Sequence, residues 1–183
     1  MKKLMVIMAI IAIAQISFGQ SRYGTKTGKI SFYSDSPLEK IEADNKQVAC
    51  VLDAGTGKIE FAALIQAFQF EKALMQEHFN ENYMESTKFP KAIFKGSLIN
   101  PSEVKFGTAG VYKCNVAGDL TIHGVTNPAK TNAVIEVKAD GSIIATADFY
   151  VSCSDYKIEI PSLVKDNISN RIQVKVNASM KSL

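Results

Sequence analysis

The chain has 183 residues, 46% of them hydrophobic and 21% charged, with a formal net charge of +3. That length suits one domain with a core of its own, and the absence of any basic cluster interleaved with aromatics excludes a nucleic-acid-binding surface. Three cysteines and two histidines, none in a CxxC or HExxH spacing, provide no metal-ligand signature and imply no cofactor.

The chain starts MKKLMVIMAIIAIAQISFGQ: a basic start (Lys2, Lys3), an apolar run from Leu4 to Ala14, then the small residues Ser17 and Gly19. This is the pattern of a secretory signal cleaved near Gly19. The apolar run is much shorter than the roughly 20 residues of a membrane span. Residues 1–19 are therefore expected to be a signal peptide, and 20–183 one exported domain. Losing Lys2 and Lys3 takes the charge from +3 to +1.

From Lys29 onward the dominant period is two. KISFYS (29–34) and QVACVLD (47–53) are the first expected strands, and a turn around Asp53 to Gly57 leads into KIEFAALI (58–65). That third strand sets Ile59, Phe61, Ala63 and Ile65 on one face. A single helical segment follows at about 71–86, then the strand KAIFKGSLI (91–99). VYKCNVAGDLTI (111–122) aligns Tyr112, Cys114, Val116, Leu120 and Ile122, with Gly118 among them. NAVIEVKADGSIIATADFYVSC holds two strands. Pairing Lys138 with Ser142 makes Ala139-Asp140-Gly141 a three-residue hairpin loop, with Val137 opposite Ile143 and Ile135 opposite Ala145. RIQVKVNASM (171–180) alternates cleanly and is the last strand.

Eight short-linked antiparallel strands, each with an apolar face, predict an all-β barrel or sandwich. The strands ending at Ile122 and Cys153 run about 12 residues, roughly 40 Å, so a barrel would be an elongated tube. The same register holds Cys114 and Cys153 near opposite ends. A disulfide needs Cα atoms within about 7 Å, so no bridge joins them. Cys50 is left unassigned, and all three read as small buried hydrophobes.

At GDLTIHGVTNPA (118–129) the chain resembles the YceI-like family of periplasmic polyisoprenoid-binding proteins, through Gly118, Leu120, Thr121, Gly124, Val125 and Thr126. Pro90 and Phe94 resemble the family's Pro-x-x-x-Phe strand start, and Asp155-Tyr156 before the last strand resembles its closing stretch. The likeness runs through nearly all of 29–181. It implies an extended, lipocalin-like, eight-stranded barrel that holds a long isoprenoid or similar lipid and performs no catalysis. No short motif identifies headgroup residues.

The helical segment contains LMQEHFNENYMES (74–86). Glu77, Glu81 and Glu85 form one stripe beside His78, which reads as a wet acidic edge because zinc needs three or four ligands. Met75, Phe79 and Tyr83 form a ridge on the opposite face, which reads as a lid over the barrel mouth. His123, next to Gly124, is expected to face away from the lining as an ordinary polar histidine, and no G-x-S-x-G accompanies it. The expected tunnel lining is Phe61, Ile65, Phe94, Tyr112, Val116, Leu120 and Ile122, continued by Phe149, Val151, Val174 and Val176 and capped by Met75, Phe79 and Tyr83. Ala63, Gly118, Ala133, Ala145, Ala147 and Ala178 leave room inside, which argues against a fully packed structural barrel. The expected partner is a hydrophobic lipid; a homodimer and transient contact with a membrane or membrane protein stay open.

Overall fold

The computed structural model describes residues 22–183, so the predicted signal peptide lies outside the described residues. The chain runs through β1 (Arg22–Asp35), β2 (Lys40–Asp53), β3 (Lys58–Leu64), β4 (Gln69–Phe70) and helix α1 (Ala73–His78). It continues through β5 (Lys91–Leu98), β6 (Gly110–Ile122), β7 (Val125–Val137), β8 (Ile143–Ser152) and β9 (Arg171–Ser182). All pairings are antiparallel, and β1 pairs with both β9 and β2, which closes an eight-stranded barrel. The two-residue β4 adds only a bridge to Ala43 and Asp44 of β2.

The turns are built as their residues dictate. Lys138 N–H donates to Ser142 O at 2.8 Å and Gly141 takes φ +80°, giving the predicted pairs Val137↔Ile143 and Ile135↔Ala145. At the β2–β3 turn the Asp53 carboxylate accepts from Thr56 N–H at 2.9 Å, and Gly57 adopts φ +73°. The β6–β7 turn places His123 and Gly124 at φ +51° and +73°, the left-handed pair of a tight two-residue hairpin. Just before it, the hydroxyls of Thr121 and Thr126 meet across the hairpin at 2.7 Å.

Three strands are longer than their apolar patterns. β1 begins at Arg22 rather than 29, β2 at Lys40 rather than 47, and β7 at Val125 rather than 132. RYGTKTG, KIEADNK and VTNPAKT carry little alternating hydrophobicity. They are held in the sheet chiefly by neighbours on closure, with Tyr23, Ala43 and Asn45 as their few buried side chains. The helical segment is shorter than expected. α1 passes at His78 into one wide turn, Phe79–Tyr83, with Met84 N–H donating to Phe79 O, and Glu85 at φ +41° ends it.

The barrel interior is divided. At the end that carries the 53–57 and 138–142 turns it is solid: Leu52, Ile143, Ala178 and Met180 are 0% exposed and Ile135 1%. Cys50 and Cys114 belong to this packed half, and Cys153 lies buried at the other end. All three thiols are free. Burial pushes Cys50 up to about 12 and Cys153 up to about 11. Neutral-pH alkylation should therefore label none of them until the protein unfolds, since the thiolate is the reactive form. The other half of the barrel, beneath α1 and the 153–170 connection, is hollow.

Candidate functional site

The hollow half encloses a cavity of about 850 Å³, in the upper part of the ~300–1,000 Å³ range of small-ligand sites. Its walls come from inward-facing alternate residues: Ile30 and Phe32 of β1, Phe61 and Ala63 of β3, Phe94 of β5, Leu120 and Ile122 of β6, and Val174 and Val176 of β9. The 153–170 connection adds Tyr156, Ile158, Ile160 and Ile168. Small residues make the space, since Ala129, Ala133, Ala145 and Ala147 all face it.

Phe61, Ile65, Met75, Phe79, Tyr83, Phe94, Val116, Leu120, Ile122, Phe149, Val151, Val174 and Val176 all line this cavity. Tyr112 does not. Its parity is inward, but it sits at the level of the packed half, against the core, and its hydroxyl donates to Thr108 O at 2.8 Å. Alternation assigns a residue to the inside of a barrel but not to a height within it.

The ridge of α1 is anchored. Phe79 stacks on Phe32 with centroids 5.4 Å apart, and meets Phe68 at 5.7 Å and Phe70 at 5.0 Å. Sequence reasoning missed these three partners, although QAFQF offers Phe68 and Phe70 at strand spacing and KISFYS places Phe32 beside Ile30 in the inward series. Each aromatic pair contributes about 0.5–1.5 kcal/mol beyond its burial. Phe79→Ala is accordingly expected to cost about 2 kcal/mol of stability, below the ~3–5 kcal/mol of a fully buried phenylalanine. It should also speed ligand release, because affinity changes appear mostly in the off-rate. Denaturant melts and stopped-flow displacement of a fluorescent lipid would measure the two effects.

His123 faces away from the cavity lining as expected, but neither it nor Glu85 is a free polar group. The His123 side chain is only 11% exposed. Its Nε2 lies 2.8 Å from a Glu85 carboxylate oxygen, its Nδ1 3.3 Å from Tyr156 O, and its ring meets Phe89 edge-on at 4.6 Å. Glu85 is thus no part of a free acidic edge but the point where the helical segment is tied to the barrel end. Gly124 completes the arrangement, since a Cβ there would come within 2.4 Å of the Phe89 ring.

The bond to His123 and the charges of Lys88 and His123 hold the Glu85 carboxyl below the usual glutamate range. A depressed carboxylate contributes stability above its unfolded value, ~4.3, that is lost as pH falls through the folded value. Glu85→Gln should lower the melting temperature at neutral pH, and the gap to the unaltered protein should narrow below about pH 4.5. His78 stands exposed on the cavity rim, and no group of three His, Cys, Asp or Glu side chains converges among the described residues.

Comparison with known proteins bears on this geometry. The model of the YceI-like domain matches residues 15–180. A polyisoprenoid binding domain from Saccharophagus degradans superposes with a TM-score of 0.78 at 12% identity, covering 90% of this chain and 99% of that one. BcnA of Burkholderia cenocepacia gives 0.68 at 15% identity, over 85% and 96% of the two chains. The Campylobacter jejuni YceI protein gives 0.54 at 19%, over 76% and 85%. At these identities the structural likeness establishes the barrel fold. No curated protein sequence matches the chain.

Proposed function

The chain belongs to the YceI-like domain family, and on that premise we propose that it is an exported, periplasmic carrier that sequesters an isoprenoid or similar long-chain lipid inside its barrel. The observation that carries this reading is the cavity of about 850 Å³ walled mainly by aliphatic and aromatic side chains. A space of that kind has no use for a polar metabolite. It suits a flexible apolar chain, each buried methylene-sized group of which contributes about 0.8 kcal/mol before the costs of association.

The packed half of the barrel supplies the rigidity. Because Leu52, Ile143 and Met180 form a solid floor, the hollow half keeps its shape without a ligand. Binding energy is then not consumed in ordering the walls. The binding role of the lining residues follows from the same reading: the tail lies against Phe61, Phe94, Phe149 and Val174, beneath Met75, Phe79 and Tyr83.

Gentle purification from the periplasmic fraction, organic extraction and mass spectrometry test this directly. The expected result is a long-chain lipid in near-stoichiometric amount, on a polypeptide that starts close to Gln20. Recovery of a lipid-free form that also refuses isoprenoid lipids in titration would overturn it.

A further inference from the structure

One seam of the barrel wall is parted. β7 pairs with β6 along its whole length, from Val125↔Ile122 to Val137↔Gly110, and β8 pairs with β9 from Ile143↔Met180 to Ser152↔Arg171. Between themselves, β7 and β8 pair only from Val137↔Ile143 to Ala133↔Ala147. Continuing that register would set Lys130 opposite Tyr150 and Pro128 opposite Ser152, but no such pairs form. At the far end the gap is closed again, where Asn127 Nδ2 donates to Asp155 O at 2.7 Å. Along it the one side-chain link is long, Thr131 Oγ1 to Asp148 O at 3.5 Å. The opening from Asn127 to Ala133 is therefore a window about 20 Å long. Pro128 fits such a place, since proline is tolerated where a strand has an edge.

The cavity runs into this window. On β1, β3, β6 and β9 only alternate residues reach it, while at the start of β5 Ile93 joins Ala92 and Phe94. On β7 and β8 consecutive residues do: Pro128 and Lys130 join Ala129 and Thr131, and Tyr150 and Ser152 join Phe149 and Val151. At Pro128, Lys130, Tyr150 and Ser152 the outer-face residues reach the interior where the β7–β8 ladder is absent.

The rim carries two cations, Lys130 and Arg171, and two carboxylates, Asp148 and Asp155, among several hydrogen-bonding groups. Lys130 is exposed and makes no ion pair among the described residues. Across the seam, the Arg171 guanidinium stacks on the Tyr150 ring at 3.7 Å. The nearby Asp148 carboxylate is already engaged by Gln173 Nε2 at 2.8 and 2.9 Å. Lys72, the cavity-lining cation at the α1 end, is instead tied to Glu39 at 3.1 Å.

We propose that the β7–β8 window is the site that holds the polar end of the ligand, and that it selects an anionic head on a long apolar tail. The tail lies in the cavity and the head lies at the window beside Lys130. This rests on the lipid-carrier reading of the cavity and adds the head's location and charge.

Two probes with one tail separate the two ideas: hexadecyl phosphate and hexadecanol, titrated calorimetrically into the full chain. Lys130→Glu is expected to weaken hexadecyl phosphate about tenfold and change hexadecanol less than about twofold, whereas Lys72→Glu should leave the phosphate preference intact. Both are surface substitutions, so folding is not at risk. Equal effects of Lys130→Glu on both probes, no effect on either, or a phosphate-selective loss in Lys72→Glu would overturn the window while leaving the carrier reading in place. Failure of the unaltered protein to bind either probe would overturn the carrier reading itself, and the window with it.

Discussion

Gly118→Ala is expected to destabilise the barrel by about 3 kcal/mol or more, an unusually large loss for one added methyl group. Gly118 of β6 stands directly opposite Gly96 of β5. A Cβ at Gly118 would lie 2.3 Å from Lys95 O and 2.4 Å from Gly96 Cα, and a Cβ at Gly96 would lie 2.5 Å from Phe94 Cζ. The first two obstacles are backbone and cannot rotate aside, so the strands themselves must part. Phe94, which leans over Gly96 and lines the cavity, would be displaced with them. Lipid capacity should therefore fall together with stability. Gly107 is the control, with nothing within 4 Å of a Cβ built there. Gly107→Ala should stay within about 0.5 kcal/mol of the unaltered protein in a urea melt. Equal melts for the two variants would mean that β5 and β6 do not approach as closely as described.

The same glycine shows how far a sequence of this kind can be read. Gly118, Thr121, Gly124 and Thr126 carry the family resemblance, and each is fixed by a local physical demand. Gly118 permits the close approach of two strands, Thr121 and Thr126 pair their hydroxyls across a hairpin, and Gly124 makes a left-handed turn under Phe89. Demands of that sort leave a mark on single residues. The 138–142 turn and the alternation of 171–180 are legible for the same reason, because local chemistry alone decides them. Tyr112 is misassigned from sequence because alternation is blind to height. The first halves of β1, β2 and β7 escape notice because a closed barrel lends a polar segment its hydrogen-bond partners. Phe32, Phe68 and Phe70 escape as a group because their meeting with Phe79 depends on a chain reversal through the 65–90 segment. The parted seam leaves no mark beyond Pro128.

Val174→Asp should reduce lipid affinity about 100-fold or more, and its cost to folding should be smaller than sequence alone suggests. From its inward parity alone, a charge at this position would destabilise the whole domain by being buried unpaired. The structure places Val174 between Phe32 of β1 and Phe149 of β8, on the wall of the hollow half and not in the packed floor. Water admitted to the lipid-free cavity can solvate the new carboxylate, so the folding penalty should be about 1–3 kcal/mol. A bound tail would expel that water and leave the charge against hydrocarbon, which sets the larger penalty on binding. Ala178→Asp provides the contrast. Ala178 is two inward positions further along β9 but is 0% exposed in the floor, where no water reaches. That variant should lose about 4 kcal/mol or more, or fail to fold. Urea melts of the two lipid-free proteins, followed by titration of Val174→Asp with an isoprenoid alcohol, decide the matter. If both variants unfold alike, the upper half is as solid as the floor and the cavity is not available to a ligand. If Val174→Asp folds and binds lipid at the ordinary affinity, the tail does not pass between Phe32 and Phe149.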